Sequence, residues 1–82
     1  MPNARETIAT ELANARALLL DNYTDFEDNV ETLDRIIAET DVSIEDELRE
    51  IGAEELASEA VFSQDVGYAQ GLAFALRAID GK

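Results

Sequence analysis

The sequence predicts an all-α protein, a compact bundle of four to five short helices with a break or kink at Gly52. Three observations carry that reading. Apolar residues recur at spacings of three and four along most of the chain, the period of a helix face. Asn, Thr or Ser stands three positions ahead of Glu or Asp at the expected helix starts. No run alternates apolar and polar residues for more than a few positions, and the only Asp-Gly pair, Asp80-Gly81, joins no two apolar runs.

The first helix is expected from about Ala4 to Asp21, with Ile8, Leu12, Ala15 and Leu19 on one face. Asn3 with Glu6 forms a capping box, Pro2 lies outside it, and Asn22-Tyr23 makes the break. Thr24 with Glu27 is a second capping box, and Asp25 adds negative charge at the positive end of the helix dipole. Phe26, Val30, Leu33 and Ile37 form the second stripe. That helix is expected to end near Glu39, with Thr40, Asp41 and Val42 as a connection. Ser43 with Asp46 is a weaker cap for a third helix striped by Ile44, Leu48 and Ile51. Continued straight, this stripe would bury Glu55, whereas Leu56, Ala57, Ala60 and Val61 need another phase. Gly52 sits at the change, so a short separate helix is expected from about Ala53 to Val61. Ser63 or Asp65 then caps the last helix, which runs through Val66, Ala69, Leu72, Leu76 and Ile79 to Gly81. The whole, residues 1–82, is expected to be a single acidic helical domain.

Composition narrows the chemistry. At 46% hydrophobic residues the chain can bury a core, though a small one. It contains no Cys and no His, so disulfide staples, thiolate chemistry and the commonest general base and metal ligand are missing. A helical di-metal site needs His, and calcium-loop spacing fails: counting from Asp21 the sixth and twelfth residues are Phe26 and Thr32, and from Asp25 they are Val30 and Ile36. No metal and no cofactor is expected. Ser43, Ser58 and Ser63 lack an imidazole to activate them, and the only Lys is Lys82, so the expectation is a protein that is not an enzyme. No secretory signal or membrane-spanning run is visible, which makes the cytoplasm of whichever cell makes or receives the protein the expected location.

Charge is the strongest signal. The net charge is −13, from 19 acidic and 6 basic residues, which excludes a basic nucleic-acid binder or a surface drawn to anionic membranes. Residues 1–20 are neutral and residues 66–82 carry +1, so residues 21–65, with 16 acids against Arg35 and Arg49, hold −14. The outward faces of the second and third helices and their flanks therefore supply the candidate partner-binding residues. These are Asp25, Glu27, Asp28, Glu31, Asp34 and Glu39, then Glu45, Asp46 and Glu50, then Glu54, Glu55 and Glu59, with Glu47 nearer the core edge. Like charges at these spacings oppose helix formation, so stability alone would interleave more Lys and Arg. Solubility or adaptation to a salt-rich cytoplasm would also produce acidic faces, but would acidify the first and last helices too.

Gly67, Gly71 and Ala75, with Ala78 beside them, make a small-residue line along the last helix. Packing against the first helix is the ordinary reason for such a line, and a self-association seam is the other. The aromatics Tyr23, Phe26, Phe62, Tyr68 and Phe74 are expected mostly in the core, with Tyr23 and Tyr68 candidates for a partner rim.

Phe62-Ser63-Gln64-Asp65-Val66-Gly67 resembles the run ahead of the phosphopantetheine serine in small four-helix acyl carrier proteins, but Ala69-Gln70-Gly71-Leu72 replaces the expected Asp-Ser-Leu, and the attachment serine is absent. In size, charge and helicity the chain resembles small acidic phage proteins that block host defence nucleases, anti-CRISPR proteins among them. That resemblance implies an inhibitor that imitates DNA and has a basic nucleic-acid-binding protein or complex as partner, without touching nucleic acid itself. Duplex DNA carries one charge per roughly 1.7 Å of axis, so fourteen charges match about 24 Å of duplex. A fifteen-residue helix is about 22 Å long. The alternatives are an acidic helical adaptor or structural protein that homodimerises through the last helix, and an acidic domain from a salt-adapted host.

Overall fold

Asn3 starts the first helix as its sequence requires: its Oδ1 accepts the Glu6 N–H at 2.8 Å. In the computed structural model, which describes residues 3–38 and 42–81, α1 spans Ala4–Asn22. A 3-10 turn follows at Thr24–Phe26, then α2 at Val30–Ala38 and α3 at Ile44–Glu50. A 3-10 helix at Glu54–Ser58 leads into α4, Ala60–Asp80. Among the described residues there is no strand.

The long helices α1 and α4 lie antiparallel. Arg5 near the start of α1 meets Asp80 at the end of α4 at 2.6 Å, and Tyr23 just after α1 meets Phe62 in the first turn of α4. One core joins all the elements: Ala15 and Leu19 from α1, Phe26, Leu33, Ile36 and Ile37 from the second segment, Leu48, Ala53 and Leu56 beyond it, and Phe62, Val66, Ala69 and Ala73 from α4. Phe62 is its hub, edge-on to Tyr23 at 5.1 Å and stacked on Phe26 at 6.1 Å.

The break at Gly52 is present and has a defined geometry. Gly52 has φ +74°, its N–H donates to the Arg49 carbonyl at 3.2 Å, and the Ala53 N–H donates to the Leu48 carbonyl at 2.9 Å. This pair of bonds is the Schellman ending of α3, and the two residues it brackets, Leu48 and Ala53, are both fully buried. At the other end of α3, Ser43 Oγ accepts the Asp46 N–H at 3.3 Å.

The structure corrects the expected elements at several points. The second helix does not run on from Thr24, and no Thr24–Glu27 capping box forms. Instead the Glu27 N–H bonds to the Thr24 carbonyl, and Asn29 Nδ2 donates to the Asp25 carbonyl at 3.0 Å. An Asn that bonds its own backbone competes with a continuous helix, so α2 begins only after Asn29. The buried face of α2 is Thr32, Leu33, Ile36 and Ile37, with Val30 half-buried. The expected end of this helix at Glu39 and the connection through Thr40 and Asp41 lie outside the described residues.

The short helix expected from Ala53 to Val61 is a 3-10 helix ending at Ser58. The last helix starts at Ala60 with Glu59 as its N-cap residue, so Ser63 and Asp65 lie within it and cap nothing. An early start lets Phe62, Val66, Ala69 and Ala73 form one unbroken inward stripe, while Leu72 and Leu76 are half-buried and Ile79, Val61 and Ala60 are exposed. The small-residue line does not pack on α1. Gly67 and Gly71 are exposed, and a Cβ at either would meet nothing within 4 Å. Of the aromatics, Phe26 and Phe62 are core and Tyr23 is half-buried, but Tyr68 and Phe74 are exposed.

These positions give opposite signs for one substitution. Gly52→Ala should destabilise by about 1 kcal/mol, since the cost is the left-handed backbone and not lack of room. Gly71→Ala, in helical backbone with open space, should stabilise by about 0.5–1 kcal/mol. Urea unfolding of the two variants checks both signs; equal effects would contradict the geometry at Gly52.

Candidate functional site

The acidic region is built on α2, α3 and the two 3-10 segments. Glu27, Asp28, Glu31, Asp34, Glu45, Asp46, Glu50, Glu54, Glu55 and Glu59 are all exposed, Asp25 is half-buried, and Glu39 lies outside the described residues. The α2 start gathers Glu27, Asp28 and Glu31 with Arg35 around a shallow concavity of about 310 Å³. Arg35 Nε donates to Glu47 Oε1 at 2.9 Å, joining α2 to α3, and its Nη2 donates to the buried Thr32 hydroxyl at 3.3 Å. The hydrogen bond and charge of Glu47, then the charges of Glu50 and Glu31, push the Arg35 guanidinium further above its ordinary value. Carboxylates from both helices therefore surround one cation.

Not every candidate carboxylate is available. Asp34 accepts two bonds from Arg16 of α1, at 2.6 and 3.2 Å, so it is turned towards the bundle seam. Arg49 holds Asp46 at 2.9 Å and Glu54 at 3.3 Å, tying α3 to the 3-10 helix after it. Glu59 sits at the N-terminus of α4, where its charge favours the helix dipole. Among the described residues, Asp25, Glu27, Asp28, Glu31, Glu45, Glu50, Glu55 and Glu59 take no arginine of this chain in an ion pair.

Geometry also changes the expected correspondence with duplex DNA. The second helix is nine described residues, not fifteen, so no single helix carries the charge along a 22 Å line. The acids are instead spread over two short helices and their turns. The partner of Asp34 was hidden in the sequence because Arg16 lies eighteen residues away, on another helix. Gln70 and Arg77 of α4 were missed for the same reason. Gln70 Nε2 donates to the Ile36 carbonyl at 2.9 Å and Arg77 Nη1 donates to the Ala38 carbonyl, satisfying the open C-terminal carbonyls of α2.

No group of three or more potential metal-ligating side chains occurs among the described residues, and no helix there is long and apolar enough to cross a membrane. Fold and site together define a small all-α bundle whose exposed acids are concentrated on α2, α3 and the turns beside them. Comparison with known proteins adds no relative to that description: no family model matches the chain, and no curated protein or solved structure is significantly similar.

Two solution properties follow. Unpaired acids on a shared surface repel, and salt screens them over about 10 Å at 0.1 M, so the melting temperature should rise from low to moderate ionic strength. A flat or falling curve in calorimetry would mean that the acids are compensated within the fold.

The tyrosines give a test at alkaline pH. Burial, with Asp65 and Glu59 nearby, pushes the Tyr23 phenol up, and the hydrogen bond to Glu11 pushes Tyr68 up. A phenol whose folded pKa is raised stabilises the fold fully below the unfolded value near 10, and that contribution is lost as pH rises through the folded value. Ultraviolet titration should show both tyrosines ionising above the value in denaturant, with stability falling over the same range. Titration of either one at or below that value would contradict its environment here.

Proposed function

We propose that this is a non-enzymatic binding protein whose acidic α2–α3 surface occupies a basic, nucleic-acid-binding surface of another protein, in the manner of a DNA mimic. The observation that carries the reading is the set of eight carboxylates on or beside these helices that no arginine of the chain engages among the described residues. Carboxylates fixed on helices and capped turns present acceptors to Lys and Arg side chains that otherwise hold phosphates. Electrostatic steering then accelerates the encounter. The absence of His and Cys and the lack of a gathered metal-ligating cluster among the described residues favour binding over catalysis. A phage inhibitor of a host nuclease complex is one form this function takes.

A second reading has its own observation. On α4, Phe74 is 63% exposed on the same outward face as Gly67 and Gly71, where a neighbouring backbone can approach closely. This supports homodimerisation through α4, with Ala75 half-buried at the edge of the seam.

The test separates the two. The variant carrying Asp28→Lys, Glu31→Lys, Glu45→Lys and Glu50→Lys changes only exposed positions outside the ion pairs. Wild type should capture from host lysate a protein that a short DNA duplex displaces, and the variant should remain helical by circular dichroism but lose that capture. Capture retained by a folded variant, or a captured protein indifferent to DNA, would overturn the mimic. A monomer–dimer equilibrium in sedimentation that Phe74→Ser abolishes would instead support the α4 seam.

A further inference from the structure

We propose that the cleft between α1 and the N-terminal half of α4 is a receptor for an aliphatic guanidinium group, the side chain of an arginine presented by a partner protein. The cleft is independent of the α2–α3 surface. It is lined on α1 by Glu11, Asn14, Ala15, Leu18 and Asn22, which recur at i, i+3, i+4, i+7 and i+11, and on α4 by Asp65 and Tyr68. Its volume is about 210 Å³ and its α1 wall is about 16 Å long from the helix rise. Arg16 and Gln70, which contact α2, leave α1 and α4 on other sides.

Each part of the lining matches one part of an arginine. Leu18, 60% exposed, and Ala15 offer an apolar wall to the methylene stem. The Tyr68 ring, 55% exposed, offers a face on which a planar cation stacks. Its hydroxyl donates to Glu11 Oε2 at 3.1 Å, which orients that carboxylate at the cleft edge and leaves Oε1 uncommitted among the described residues. Asp65 and the carbonyl oxygens of Asn14 and Asn22 add further acceptors. A planar guanidinium can engage a carboxylate of this wall bidentately, which the compact head of a lysine cannot.

The complementary charge must come from outside the chain's arginines. Arg5 is held by Asp80, Arg16 by Asp34, Arg35 by Glu47, Arg49 by Asp46 and Glu54, and Arg77 by the Ala38 carbonyl. Neither Glu11 nor Asp65 has an ion-pair partner among the described residues. An apolar wall, an aromatic face and two unmatched carboxylates thus meet in one concavity, a combination that a merely solvated acidic face does not need.

Amide chemical shifts of the isotopically labelled full chain provide the test, with butylguanidinium, butylammonium, butanol and the capped peptide acetyl-Ala-Arg-Ala-amide as probes at constant ionic strength. Butylguanidinium and the peptide should give saturable shifts at Asn14, Leu18, Asn22 and Tyr68. Butylammonium should bind about fivefold or more weakly, and butanol should not saturate. The double variant Glu11→Gln, Asp65→Asn, checked for helicity, should lose about tenfold in affinity, and Tyr68→Leu should remove the preference for guanidinium over ammonium. The proposal is overturned if the amides of residues 27–31 and 45–50 saturate with the cleft amides. Equal binding of the two cations, exclusion of the peptide, or an unaffected double variant would overturn it as well. None of these results depends on the α2–α3 surface having a partner, so the two readings fail separately.

Discussion

The fold depends on Phe62. Its ring is buried in the first turn of α4, edge-on to Tyr23 and stacked on Phe26. Those two aromatics lie in and beside the turn that leaves α1, so one side chain with two ring contacts fixes where the second segment begins and how α4 returns beside α1. A large aromatic contributes several kcal/mol when buried, a large share of the small net stability of a domain of this size. The placement of Phe62 also sets the phase of α4. Once it points inward, Val66, Ala69 and Ala73 follow it at helical spacing, and the opposite face is left to solvent.

What could be read from the sequence was what local chemistry decides. The Asn3 and Ser43 caps, the α1 stripe and the glycine ending of α3 all depend on residues within a few positions of each other. The start of α2 was misread because two local rules compete there. Thr24 and Glu27 have capping-box spacing, but the Asn29 side chain takes the Asp25 carbonyl and resets the helix. The start of α4 was misread because polar Ser63 and Asp65 look like caps, whereas burial of Phe62 demands a helix already formed at that point. For the site, the exposure of the acids followed from the helical wheel, but their availability did not. Which of them are neutralised depends on Arg16, Arg35 and Arg49 reaching across elements, and pairing at that range has no periodic signature.

The four arginines that pair with acids share a property that explains how so acidic a chain holds together. Arg5 joins the far ends of α1 and α4, Arg16 joins α1 to α2, Arg35 joins α2 to α3, and Arg49 joins α3 to the following 3-10 helix. Cations are scarce, and each of these lies at a joint between elements. Exposed ion pairs are weak and screened by salt, so they are not the main source of stability. Arg35 and Arg49 instead offset like-charge repulsion where the acidic α2, α3 and the following 3-10 helix meet, while Arg5 and Arg16 tie α1 to its neighbours. The fifth arginine, Arg77, acts at a joint too, through the Ala38 carbonyl of α2.

This distribution bears on why the remaining acids are there. If negative charge served only to keep the protein dissolved, it would be spread over every solvent face. The outward face of α4 carries Ser63, Gln64, Gly67, Gly71, Phe74 and Ala78, all exposed and none charged. On α2 and α3 five of the seven exposed positions are acidic, although each further acid there raises the repulsion that Arg35 and Arg49 must offset. A chain that tolerates a neutral face on its longest helix does not need the opposite extreme on its shortest two for solubility. The excess is concentrated where repulsion opposes folding most, on short helices with little length to offset it. Uniform solvation does not account for that concentration, whereas the proposed contact with a positively charged surface would.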